Sequence, residues 1–312
     1  MCVTQLSQHC LPGREIVGLS SYTFNLKYLF MKVIEFVGCE GVGKSTLYKT
    51  LTKNYLLPKK VIKSATSANH LIARHLLGRD NSLLKYSFIP GIKIPFVNNF
   101  ISYRVLNQQF KKELFRDKKE WEECIHILFA AQSNIRTCLR SFYSYSALLT
   151  RMEQIALYEK YLDDKFLLME PGIFHKLNNI LMFFDEENVI EITGKIFSIL
   201  PVIPYGLIFL DTSPEIIFER FYKREEIKSK WKQEFMEFYT NTAYNKTIIE
   251  QRIIKQGVKI LRERGARVVE INSEENIDVQ ASLVMKFFSE LPVDPKIHNS
   301  LFQHKNGGVI IH

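Results

Sequence analysis

The chain has 312 residues, 46% of them hydrophobic, and a formal net charge of +9 at pH 7. That length allows one large domain or two small ones, with a sizeable core, and no apolar run approaches the roughly 20 residues of a membrane span. The lysines and arginines are dispersed rather than packed into one tract, so the positive balance fits phosphorylated small molecules as well as nucleic acid.

Residues 1–30 show no periodicity and no secretory layout, since Arg14 is isolated among polar and small residues. They are expected to form a poorly ordered extension. The five cysteines (Cys2, Cys10, Cys39, Cys124, Cys138) have no CxxC or metal-ligand spacing, which predicts reduced thiols and a cytoplasmic protein. Met31 is followed by Lys32-Val33-Ile34-Glu35-Phe36-Val37, the pattern of a buried first strand. A glycine-rich turn leads to a helix over Thr46–Asn54, then a short strand at Val61–Lys63 and a helix over Ala68–Leu77. Pro90, Gly91 and Pro95 mark a loop, and 96–162 reads as a helical insertion broken near Asp117–Lys118. Further strands are expected at Lys165–Met169, Tyr205–Leu210 and Arg267–Ile271. Helices are expected over most of Ile216–Arg264 and over Ile277–Leu291, with 292–312 as a tail. Strands alternating with helices predict one three-layer α/β domain over 31–291, with about five parallel strands.

The turn Gly38-Cys39-Glu40-Gly41-Val42-Gly43-Lys44-Ser45 fits the phosphate-loop pattern G-x-x-x-x-G-K-[ST], and a strand before it and a helix after it supply the context that pattern needs. Its glycines allow backbone N–H groups to converge on phosphate oxygens at a helix N-terminus. Lys44 would reach the β- and γ-phosphates, Ser45 would ligate Mg²⁺, and Thr46 would open the helix beside them. ATP is the expected nucleotide. The guanine-reading Asn-Lys-x-Asp is missing, because Asn245-Lys246 is followed by Thr247-Ile248, and no strand ends in Asp-Glu as a motor ATPase would want. Two strands end in single acids, Glu170 and Asp211. Glu170 is a candidate metal-side ligand, since strand C-termini face the ligand crevice of such sheets; its bland alternative is a helix-capping role. For Asp211 a structural role is expected, capped locally by Thr212 and Ser213.

The segment Phe36–Thr46 resembles the phosphate loop of thymidylate kinases, in which an acid stands two residues after the first glycine. The resemblance implies that Glu40 contacts a sugar hydroxyl of the acceptor. Ile72-Ala73-Arg74-His75-Leu76-Leu77 is similar to the helix whose arginine binds the acceptor phosphate, and Ile127-Leu128-Phe129-Ala130-Ala131 to the segment whose ring packs on the base. Leu210–Glu215, Arg220 and Lys223-Arg224-Glu225 resemble the approach to that family's arginine-bearing lid, here expected near 224–240. Val269–Ile277 resembles its adenine-side loop. The likeness spans roughly 31–291. It departs at Lys63–Ser67, at Glu170-Pro171-Gly172 and at Ser133, all on the acceptor side, where Arg136 is a further candidate.

The residues therefore predict an ATP-dependent phosphotransferase with Mg²⁺, ATP and a small-molecule acceptor as partners, a homodimer being allowed. Val42 precedes Gly43, so the loop carries no arginine of its own, and the extra cation that phosphoryl transfer needs is assigned to Arg224, with Arg220 on the ATP side. Each acceptor residue has a bland reading: Arg74 and Arg136 on a solvated helix face, Phe129 in the core, Lys223–Lys232 as a solvated basic run. The competing functions are an ATP-hydrolysing switch associated with nucleic acid, which is disfavoured, and a nucleotide-binding module without catalysis.

Overall fold

The computed structural model describes residues 29–69, 71–72, 123–124, 126–128, 144–152, 154–155, 158, 161–162, 165–200, 202–228 and 233–292. Five strands form one all-parallel sheet in the order β2-β3-β1-β4-β5, namely β1 (Leu29–Val37), β2 (Val61–Ile62), β3 (Phe166–Met169), β4 (Val202–Asp211) and β5 (Arg267–Asn272). Helix α1 (Lys44–Asn54) joins β1 to β2. Helices α2 (Ile173–Leu181) and α3 (Glu186–Ile199) join β3 to β4. Helices α4 (Pro214–Lys228) and α5 (Gln233–Glu263) join β4 to β5, and α6 (Ile277–Ser289) follows. The α/β class and the five parallel strands are as the alternation of elements implies.

Successive strand residues point to opposite faces of a sheet, and β1 uses this directly. The Phe36 ring packs edge-on against Tyr48 of α1, with centroids 5.6 Å apart. The neighbouring Glu35 meets the first N–H groups of α2. Helices α1 and α2 therefore lie on opposite faces. The chain leaves β1 on one side of the sheet and leaves its neighbour β3 on the other, so the sheet has its topological switch between these two strands, the place where open α/β sheets bind ligands.

On the α1 face, Tyr55 donates to Asp278 Oδ1 of α6 at 3.2 Å, and Asn276 caps α6 by accepting from Asp278 N at 2.9 Å. On the other face, the rings of Phe174 (α2) and Phe197 (α3) lie 4.8 Å apart. There Arg264 closes the end of α3 by donating to the carbonyls of Phe197 and Leu200, both at 2.5 Å. Within the expected insertion the described positions at 144–152 are helical, and Tyr145, Leu148, Met152, Ile155 and Tyr158 are buried at spacings of three and four.

Two boundaries differ from expectation for one reason. β1 starts at Leu29 rather than after Met31, and β4 at Val202 rather than Tyr205, because Leu29 and Phe30 pair with Val202 and Ile203. Pro204 interrupts the apolar pattern there and has no N–H for the ladder. It sits beside the register shift between Met31 and Ile34, before β5 joins at Gly206. The helix after β2 also begins earlier than Ala68: Ser64 Oγ accepts from Ser67 N at 3.2 Å, and helix runs from Ala65.

Gly257 lets α5 lie against both neighbours, since a Cβ there would sit 2.8 Å from Phe174 Cζ and 2.9 Å from Phe197 Cε2. Gly257→Ala gains about 1 kcal/mol of helix propensity, but two rings from different helices must then move, at about 1–3 kcal/mol. We expect a net loss on the order of 1 kcal/mol, read as a lower guanidinium midpoint. A higher midpoint would show that the rings yield freely.

Candidate functional site

At the end of β1 the chain turns through Gly38–Gly43 into α1. Gly38 has φ 149° and Gly41 φ 91°, both in the region that side chains rarely adopt. Space is short as well: a Cβ on Gly38 would meet Leu210 O at 2.5 Å, and one on Gly41 would meet Ile217 O at 3.1 Å. The loop is thus wedged between the end of β4 and α4. Val42 and Cys39 are buried beneath it, and the Cys39 thiol is pushed up, first by burial and then by the Glu250 carboxylate, so it stays protonated. Gly43 precedes α1, whose first turn is closed by Thr46 N donating to Gly43 O at 3.0 Å.

Lys44 is buried, and its Nζ donates to Gly38 O at 2.6 Å and Cys39 O at 2.7 Å, so the loop curls around its own lysine. Burial lowers its pKa, and Glu250 is the strongest charge opposing that shift. The exposed Ser45 donates from Oγ to Glu170 Oε1 at 3.1 Å. The two expected metal-side residues, 125 positions apart in sequence, therefore meet at the switch between β1 and β3. A hydroxyl and a carboxylate are hard oxygen donors of the kind Mg²⁺ takes, although no group of three or more His, Cys, Asp or Glu side chains among the described residues could hold a metal ion.

The Glu40 side chain is exposed, and its backbone N–H donates to both carboxylate oxygens of Glu250 at 3.2 and 3.3 Å. Arg220 of α4 binds Val42 O at 3.3 Å and Ser273 Oγ at 2.8 Å through Nη1, and Ser273 O at 3.1 Å through Nη2. It clasps the loop to the turn after β5. Asp211 is held by α5 rather than by Thr212 and Ser213, because Gln251 Nε2 donates to its Oδ1 at 2.8 Å and Lys255 pairs with Oδ2 at 2.9 Å. Ser213 acts instead on α4, accepting from Ile216 N at 3.4 Å. Lys223, in the expected basic run, forms an exposed pair with Glu219 one turn back at 2.5 Å, as a solvated face would. Arg224 is helical in backbone, but its side chain, like Arg74, Phe129 and Arg136, lies outside the described residues.

The most consequential residue missed in the sequence is Glu35. It is fully buried on β1, accepting from Ile173 N at 2.8 Å and Phe174 N at 2.9 Å. Those are the α2 donors that a capping Glu170 would have used, so Glu170 is not the cap. A Cβ on Gly172 would fall 2.1 Å from Glu35 Cδ, so only glycine admits the carboxylate there. Desolvation raises the pKa of Glu35 to about 7, opposed by the two N–H bonds and then by Arg151. The signal was present: a lone acid in a strand that a parallel sheet buries on both faces. Glu250 and Asn178, two further residues missed, lie on α5 and α2. Asn178 Nδ2 donates to Glu250 Oε1 at 3.0 Å.

No protein-family model matches the chain, and no curated protein matches it.

Glu35 gives a pH test. Its folded value lies above the ordinary 4.5, so the pH-dependent part of its burial penalty is absent below that pH and grows as pH rises to about 7. Relative to Glu35→Gln, the wild type should lose on the order of 3 kcal/mol across that window and then level off, measured by urea unfolding at stepped pH. Parallel stability curves would mean that Glu35 does not titrate there.

Proposed function

We propose that the chain is an ATP-dependent phosphotransferase of thymidylate-kinase-like type, transferring the γ-phosphoryl group to a nucleotide, nucleoside or similar small acceptor. The observation that carries this reading is the convergence, at the C-terminal ends of β1 and β3, of the glycine-shaped loop, the Lys44 ammonium and the Ser45–Glu170 contact. A strand–loop–helix turn of this shape, with its N–H groups at a helix N-terminus, is a natural seat for a triphosphate.

In this reading Lys44 exchanges its carbonyl partners for phosphate oxygens, a short swing of one side chain. Ser45 and Glu170 would hold Mg²⁺, which when bound neutralises charge on the β- and γ-phosphates. Arg220 keeps the loop in register with the turn after β5, on the side expected to receive adenine. The acceptor would enter over Glu40 from the side of Arg74, Phe129 and Arg136. The segment about 224–240 would close as a lid, excluding water and bringing Arg224 to the transferring group.

Lys44→Ala should abolish transfer and weaken binding of a fluorescent ATP analogue at least tenfold, with the circular dichroism spectrum unchanged. Wild-type turnover in that variant would defeat the kinase reading. The lid gives a separate expectation. Arg224→Ala should lower kcat by about 10²–10³-fold while barely moving the KM for ATP, as for a charge felt in the transition state. Lys228→Ala and Lys232→Ala are the comparison, and equal effects from all three would remove Arg224 from the chemistry. Acceptor-dependent ADP release separates a kinase from an NTPase stimulated by DNA or RNA and from a module that only binds.

A further inference from the structure

We propose that Glu250 is the general base of the reaction and that the phosphate acceptor is a neutral hydroxyl compound, a nucleoside or other polyol, rather than a phosphomonoester. The inference rests on the phosphotransferase reading above and narrows its substrate class.

Three features of the geometry support it. The first is placement. Glu250 projects from α5 onto the phosphate loop at Glu40 N, and the Lys44 ammonium is the strongest charge acting on it, as Glu250 is on Lys44. A γ-phosphoryl group drawn to Lys44 therefore lies beside this carboxylate.

The second is orientation. Oε1 is held by both Glu40 N and the Asn178 amide, at 3.2 and 3.0 Å, whereas Oε2 receives only the 3.3 Å bond from Glu40 among the described residues. One oxygen is anchored and the other keeps room for an incoming O–H. A base fixed by a third group is the arrangement such catalysis needs. Asn178 is itself 2% exposed, and its Oδ1 has no hydrogen-bond partner. Asn178 lines a narrow crevice together with Gly38 and His175. Glu250 is only half-buried, so it stays within reach of a ligand.

The third is charge. A phosphomonoester would bring a dianion against the Glu250 and Glu40 carboxylates, whereas an alcohol brings a proton to give. Desolvation raises the pKa of Glu250, with Glu40 adding to the rise and Lys44, Glu40 N–H and Asn178 opposing it. The carboxylate thus accepts a proton more readily than an exposed glutamate would. Of the other titratable groups nearby, the Cys39 thiol is held protonated, and burial, helped by Lys44, holds His175 neutral with its pKa at about 4. The step balances: the acceptor oxygen forms a bond to Pγ, the bond from Pγ to the β,γ-bridging oxygen breaks with its electron pair leaving on ADP, and the hydroxyl proton passes to Glu250.

Water, the simplest hydroxyl acceptor, allows a test before the true acceptor is known. Full-length protein and its Glu250→Gln variant are compared with Mg²⁺ in three measurements: binding of a fluorescent ATP analogue, acceptor-free ATP hydrolysis from pH 5 to 9, and ADP formation with four nucleosides or, separately, their 5′-monophosphates. We expect analogue binding within about threefold of wild type and hydrolysis reduced about 10²-fold or more. The acid-side inflection of the wild-type profile should vanish in the variant, and stimulation should come from nucleosides and not from monophosphates. The acceptor series and the wild-type profile need no variant, so they decide the matter even if Glu250→Gln fails to fold. Wild-type hydrolysis in a folded variant or stimulation by monophosphates would overturn the proposal while leaving the phosphotransferase reading intact, and no turnover in a chain that binds the analogue would overturn both. Failure of the wild type to bind the analogue would instead strike at the phosphotransferase reading itself.

Discussion

A carboxylate in the middle of a sheet core is costly, and in this fold the first turn of α2 offsets part of the cost. Glu35 lies on β1, and the donors it takes, Ile173 N and Phe174 N, belong to the helix that leaves β3. The interaction thereby joins a second connection to the ladder between β1 and β3 and fixes where α2 starts. Since Glu170-Pro171-Gly172 is all that separates β3 from α2, fixing the helix also fixes Glu170. The Ser45–Glu170 contact therefore depends on a residue that touches neither partner. Burial and hydrogen bonding oppose each other at Glu35, and burial dominates the shift, so the interaction serves placement more than stability.

Helix α5 plays the corresponding part on the β4 side. Four of its residues meet different neighbours: Glu250 the loop after β1, Gln251 and Lys255 the end of β4, and Gly257 the rings of Phe174 and Phe197. The helix begins at Gln233, within the segment expected to form the lid. A displacement of its first turns would bear on residues that already hold Asp211 and Glu40.

The α/β class, the parallel sheet and the meeting of Ser45 with Glu170 were legible in the sequence because their signals are local. The loop motif, the apolar strand before it and the helix after it lie within about one βα unit, and alternating strands and helices imply a parallel sheet. Pro204 hid the beginning of β4, and with it the pairing that extends β1 to Leu29. Asp211 was assigned to its sequence neighbours because Gln251 and Lys255 stand a whole connection away. Glu250 left little trace, since an acid within a long helix is ordinarily solvated; its role follows only from the packing of α5 against the loop. Glu35 could have been found, because an acid inside a strand of the β1 type breaks the pattern that defines it.

The residues that break local rules are gathered at one end of the sheet. Lys44 is a buried ammonium, Glu35 a buried carboxylate, and Glu250 an acid whose proton is hard to remove, all beside a loop whose glycines hold left-handed backbone. At other described positions ordinary rules hold: Asn276 caps α6, Arg264 closes α3, and exposed pairs such as Lys195–Glu191 follow helical spacing. Selection for stability alone gives no reason to concentrate desolvated charges in one place, because apolar residues of similar volume would serve as well or better. A site that must hold a polyanion, and act on it, does give such a reason: its dipoles and charges have to be fixed in a low-dielectric setting before the ligand arrives. The uneven distribution of strain and buried charge along the sheet thus supports a functional site at the C-terminal end of the sheet near the β1–β3 switch, independently of the loop motif.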